Sequence, residues 1–193
     1  TSENAAGALA IAGGRSADRV GAPDGWGSDL IDRERWVRWT NGLGPPDQDV
    51  APGDERQGFV IAAEPDTRPG IAEYRLQAAH GLPRGCESDD RFLKNSKPGF
   101  TVAPERLDTS NSRERAGRLK RLVDRACVIA WVDAADCPGL QRAAAALFDA
   151  RAPGSTELAR FRETLATARM SREAEIVLGD AERSVREVVD PTP

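Results

Sequence analysis

The sequence predicts a mainly α protein, with a C-terminal helical hairpin or bundle joined to a smaller, loop-rich mixed N-terminal half. Three observations carry that reading. From about Pro104 the chain consists of long Ala/Leu/Arg/Glu segments separated by brief Pro/Gly breaks. Before that point, turn-forming residues interrupt nearly every apolar run. Hydrophobic residues total 39% and aromatics 5%, so the core is modest for 193 residues and part of the chain is expected to lie against something else.

Residues 1–28 are rich in Gly, Ala, Ser and Asp, with no aromatic before Trp26, and read as an extended N-terminal arm. Residues 29–103 read as a loop-rich mixed region. It opens with SDLIDRERWVRWTNGLG, which has the pattern of an amphipathic helix. Ser28 suits the N-cap and Asp29 the first turn; Leu30, Trp36, Val37 and Leu43 fall near one face; Asn41-Gly42 supplies a stop. Gly44 to Gly58 is a loop, with three prolines, four acids and three glycines. FVIAAEP (59–65) is short, apolar and β-branched, which suits a strand. GIAEYRLQAAHG (70–81) fits helix and strand equally, so residues 59–80 stay undecided between the two.

Residues 104–190 read as a helical bundle. In SNSRERAGRLKRLVDRACVIAWVDAAD, residues Ser110 to Ser112 are capping candidates, and Leu119, Leu122, Ala126 and Ile129 keep helical spacing. Pro138 suits the first turn of a second helix, which ends at Pro153-Gly154. Leu158, Phe161, Leu165 and Ala168 define a third face. Ile176, Val177, Ala181, Val185 and Val188 continue it, either in one long helix with a weak point at Gly179 or in a new helix opened by Ser171.

The formal net charge of −4 argues against a globally basic nucleic-acid coat but not against a local basic stripe. No apolar run reaches the roughly 20 residues that a membrane-spanning helix needs, so the expectation is a soluble protein of the cytoplasm, or of a particle assembled there. Three cysteines with no paired spacing suggest a reducing compartment. On one helix, Cys127 and Cys137 would stand roughly 15 Å apart, and nothing between Val128 and Ala135 is a turn signal. The expectation is therefore free thiols, with Cys127 in the core and Cys137 at a junction where it or Asp136 caps the next helix. His80, Cys86, Cys127 and Cys137 together would make a Cys₃His zinc set, but they lack the close ligand pairs of a zinc knuckle. Neither a metal nor an organic cofactor is expected.

Candidate functional residues fall into three groups. Trp36 and Trp39, rimmed by Arg35 and Arg38, combine the side chains that anchor protein interfaces. Arg113, Arg118, Arg121 and Arg125 form a basic stripe suited to phosphates or to an acidic partner. Glu87, Asp89 and Asp90, near His80 and Cys86, are carboxylates that could serve an enzyme, although no coherent catalytic set accompanies them. The expected function is that of a structural or adaptor subunit of a larger assembly, virion-like or another multi-protein particle, whose partners are other protein subunits, copies of itself included. A nucleic-acid-binding regulator using helix 113–125 ranks second, and a small enzyme or effector third.

Overall fold

The computed structural model describes residues 6–12, 17–31, 36–40, 50, 57–63, 66–78, 94, 96–107, 111–150 and 153–190. Among the described residues the strands are β1 (Ala6–Ala12), β2 (Ala17–Gly21), β3 (Gly27–Ile31), β4 (Trp36–Thr40), β5 (Val60–Ala63), β6 (Thr67–Ala78) and β7 (Lys97–Arg106). After β7 come the helices α1 (Ser112–Val128), α2 (Cys137–Asp149), α3 (Ser155–Thr167) and α4 (Arg172–Val189). The fold is therefore mixed α and β, which corrects the mainly α expectation. The chain divides into two units. One holds residues 1–67 and 72–105; the other holds residues 68–71 and 106–193.

In the first unit the strands form a five-stranded antiparallel sheet in the order β3-β4-β1-β6-β7 and a two-stranded sheet of β2 and β5. The segment expected to be an extended arm supplies β1, the middle strand, which pairs with β4 on one side and β6 on the other. Its small residues carried little strand signal because the partners on both sides, not its own side chains, supply the context. The region left open between helix and strand is resolved as strands β5 and β6.

The stretch expected as the Trp36/Trp39 helix is instead the β3–β4 pair. Bulky and β-branched residues favour a pleated, half-buried surface, and WVRWT is almost entirely of that kind. The strand period of two puts Val37 and Trp39 on one face and Trp36, Arg38 and Thr40 on the other. Both faces bury large groups, and this double burial mimicked a helical stripe in the sequence. Asp29 stands directly opposite Arg38, and the two form an ion pair across the strands. An opposite-charge pair at facing positions supports this register.

The core of this unit gathers Trp26, Val37 and Trp39, with Ile11, Val20, Phe59 and Ile61 packed against them. Val20 comes from β2 and Ile61 from β5, so the small sheet closes over the Val37/Trp39 face of the large one. Phe59 meets both indoles edge to face, at ring-centre distances of 5.1 Å from Trp26 and 5.8 Å from Trp39. The Trp39 Nε1–H donates to the Gly21 carbonyl at 2.7 Å, so its single polar group is satisfied inside the core. On β7, a side chain at Gly99 would overlap the Tyr74 ring, which explains the glycine there.

In the second unit each helix keeps the apolar spacing of its sequence. Asn111 caps α1 by accepting from the Arg113 N–H at 2.8 Å, and Ala116, Leu119, Leu122, Val123 and Ala126 are buried. Ser171 opens α4 as a true N-cap, accepting from the Ala174 N–H at 3.3 Å, and α4 runs unbroken through Gly179. Helix α1 packs on α2 and α4, α2 on α3, and α3 on α4, which closes a four-helix ring. Gly117 lets α1 approach Phe148 of α2. Val132, after α1, bridges Met170, before α4, so both connections lie at the same end of the bundle. The helices therefore run up, down, up and down.

Trp39→Ala should lower stability by about 3–5 kcal/mol, the usual cost of emptying a buried aromatic site. The measurement is the denaturant midpoint, followed by near-ultraviolet circular dichroism. A loss below about 1 kcal/mol would show that the ring is not part of the core.

Candidate functional site: the braced elbow of the helical unit

The chain turns back sharply after α1. Ile129 is the C-cap and Ala130 adopts φ 58°, a left-handed conformation that usually belongs to glycine. The Trp131 N–H donates to the Ala126 carbonyl at 2.9 Å and the Ala130 N–H to the Cys127 carbonyl at 3.2 Å. This nested pair is a Schellman motif. Because an alanine fills the glycine position, the sequence carries no turn signal here, although the helix ends at Val128.

The fold-back brings Cys127 and Cys137 together as a disulfide, with Cα atoms 5.8 Å apart. This overturns the expectation of free thiols at both positions. The spacing argument fails because its premise, a straight segment between the two cysteines, is replaced by a turn. Pro138 does lie in the first turn of α2, as its chemistry favours, and Asp136 occupies the N-cap position without a side-chain capping bond.

The elbow is tied a second time, to the α3–α4 connection. The Asp133 N–H donates to the Arg169 carbonyl at 2.9 Å, and the Ser171 N–H donates to the Trp131 carbonyl at 2.8 Å. Arg169 adds its side chain: its Nε lies 3.1 Å from Asp136 Oδ2 and its Nη2 lies 3.2 Å from Asp133 Oδ2. Asp133 Oδ1 also accepts from the Ala135 N–H, which shapes the turn into α2. The Arg169 backbone N–H, followed by its guanidinium, holds the Asp136 carboxyl below the usual carboxylate range. Outward from this braced turn project Val128, which is 83% exposed, and the exposed residues Ala130, Ala134 and Ala135.

A second polar cluster lies nearer the other end of the bundle. The Arg115 guanidinium donates to the Ser184 carbonyl at 2.8 Å and to Glu187 Oε2 at 3.0 Å. The Arg118 guanidinium, almost fully buried, donates to the Pro69 carbonyl at 2.8 Å. Arg68 reaches Asp180 at 3.4 Å and Glu187 at 3.0 Å. These contacts join α1, α4 and residues 68–71 within the helical unit.

The structure thus separates the residues of the expected basic stripe. Arg118 turns inward, whereas Arg113, Arg121 and Arg125 are exposed. Arg113 lies over the Phe148 ring at 5.6 Å from its centre. Trp36 and Trp39 are buried at 9% and 1% exposure, and Arg38 pairs with Asp29. Arg35, His80, Cys86, Glu87, Asp89 and Asp90 lie outside the described residues. Among the described residues, no group of three or more His, Cys, Asp or Glu side chains is placed to hold a metal ion. No described helix is long and apolar enough to cross a membrane. Sequence reasoning missed the elbow altogether. Its available signal was the placement of Pro138, which fixes a new helix start and leaves a linker upstream for the chain to reverse.

No family model matches this chain, and neither a curated protein nor a solved structure matches it.

Two outcomes test the elbow. Ala130→Gly should stabilise the protein by up to about 1 kcal/mol, because glycine relieves the left-handed strain at a smaller cost in unfolded-chain entropy. A fall in thermal midpoint would show that Ala130 is not held in that conformation. The second outcome concerns acid. The folded Asp136 carboxyl titrates below its unfolded value, so its stabilising effect is complete above the ordinary aspartate range, near 4, and is lost as pH falls through the lower folded value. Asp136→Asn should therefore reduce stability at pH 7 and flatten its acid dependence. Parallel acid-denaturation curves for the two proteins would refute the pairing.

Proposed function

We propose that this chain works by contact with other proteins, as a structural or adaptor subunit of a larger assembly, and that the elbow at the end of α1 is its contact point. The observation that carries the reading is Val128. A large apolar side chain stands 83% exposed on a turn that a disulfide, a Schellman motif and the Arg169 contacts hold in place. Rigid display lowers the entropy cost of binding, and an apolar anchor seated in a partner is a typical source of interface energy. Scattered exposed apolar residues are ordinary on protein surfaces. Val128 differs from Leu30, Val60, Leu76 and Ile176, which are 36–50% exposed, in its far greater exposure and in the covalent link beside it.

A second reading, nucleic-acid binding, has one specific observation in its favour. Arg121 and Arg125 are exposed one turn apart on α1. With Arg118 turned inward, the stripe is shorter than the sequence suggests, which makes this the weaker reading.

Val128→Glu separates the alternatives. The side chain is solvated, so the thermal midpoint should stay nearly unchanged. Association, followed by sedimentation with the chain alone and with a candidate partner, should weaken by about tenfold or more. Association that ignores this substitution sinks the elbow reading. Binding to DNA that falls steeply with added salt and ignores Val128→Glu would favour the Arg121/Arg125 face instead.

A further inference from the structure

We propose that the Cys127–Cys137 disulfide is a reducible latch: oxidised, it locks the α1–α2 elbow, and when a dithiol reduces it the elbow loosens while the bundle stays folded. The inference stands on the geometry of the pair and does not depend on the contact reading of Val128.

Three features distinguish this bond from a permanent staple. The first is access. Cys127 is half-buried whereas Cys137 is 8% exposed, so a reductant meets the Cys127 sulfur first. The second is a prepared place for the departing sulfur. Cys137 is the first residue of α2, where the positive end of the helix dipole favours negative charge. Its Sγ also lies 3.8 Å from the Val132 carbonyl, which can accept from the thiol once the bond is open. The third is redundancy. The Schellman bonds, the backbone bonds to Arg169 and Ser171 and the Asp136–Arg169 pair all hold the same turn without the covalent link. Leu119, Leu140, Phe161 and Val177 are fully buried by packing among the four helices, away from the covalent link.

The exchange proceeds in two steps. A thiolate of the dithiol attacks the Cys127 Sγ. The S–S bond breaks, its electron pair passes to the Cys137 Sγ, and that sulfur takes a proton from solvent. The second thiol of the reductant, having lost its proton, then attacks its own sulfur in the mixed disulfide. The reductant closes its disulfide, and Cys127 leaves and takes the second proton. Two electrons and two protons pass from the dithiol to the protein. Once the link is open, the left-handed Ala130 is held by hydrogen bonds alone, and the turn opens more often.

The test uses the full chain, native and treated with dithiothreitol, then alkylated without denaturant. Peptide masses locate the modified cysteines, and hydrogen exchange is read on the same samples. Cys127 and Cys137 should be protected before treatment and alkylated after it, with cooperative thermal unfolding retained. The amides of Trp131, Asp133 and Ser171 should then exchange at least about tenfold faster, while those of Val177 and Leu178 keep their protection. A variant carrying both Cys127→Ser and Cys137→Ser should show the fast pattern with and without dithiothreitol. The latch is overturned if the pair is alkylated before reduction or only on global unfolding. It is equally overturned if the elbow exchanges alike in both forms, or if the double variant fails to fold.

Discussion

The helical unit depends on how its buried guanidinium groups are satisfied. On the inner side of α1, Arg118 is buried and Arg115 partly buried, and a buried charge is costly unless it is paired and hydrogen-bonded. Their partners include two backbone carbonyls, those of Ser184 and Pro69, the Ser184 hydroxyl and the Glu187 carboxylate. Carbonyls of this kind are fixed by the backbone, so the arginines select a particular placement of α4 and of residues 68–71 instead of merely attracting charge. Arg68 adds a second cation shared between Asp180 and Glu187. Glu187 is partly exposed, so its ion pairs are screened by solvent and contribute less than the bonds to the buried carbonyls. The specificity of the seam therefore rests on hydrogen bonds to the main chain.

The bundle is fastened differently at its two ends. Along α1, Arg115 and Val128 are separated by roughly 20 Å at helical rise. One end is held by the arginine network between α1 and α4. The other is held by the elbow, where a covalent link, a strained alanine and the Arg169 contacts bring together the two connections. Between them, the α1–α2 contact is tightened by Gly117 against Phe148 and by Gln141 donating to Asp124. Each end uses a different chemistry to hold its helices.

The helices were legible in the sequence because each buries one face, and Leu119, Leu122, Ala126, Leu158, Phe161, Val177, Ala181 and Val185 repeat at the helical period. Their boundaries were legible only where a residue announces them, as Ser171 and Pro138 do. The end of α1 was hidden because Ala130 takes a conformation that its side chain does not advertise. The disulfide was hidden with it, since pairing follows from the turn. The sheet was illegible for a different reason. A strand buried on both faces has no alternation to read, and Ile31, Trp36, Val37 and Trp39 are buried on opposite sides of the same pair of strands. Strand β1 was masked further by its alanines, which suit a helix or a loop as readily as the middle of a sheet.

The position of β1 bears on how the first unit assembles. The strand is made before both of its partners, so one side of it waits for β4 and the other for β6, where Ile11 faces Tyr74. The pairing therefore closes loops of very different length, and contacts distant in sequence slow folding. The four helices, linked by short connections, meet neighbours close in sequence and suit rapid assembly. A nascent chain thus carries β1 with an open edge for the whole time needed to make β6. During that interval the edge is available to any other unpaired strand nearby, so crowding of unfinished chains is the condition under which this fold is most exposed to mispairing.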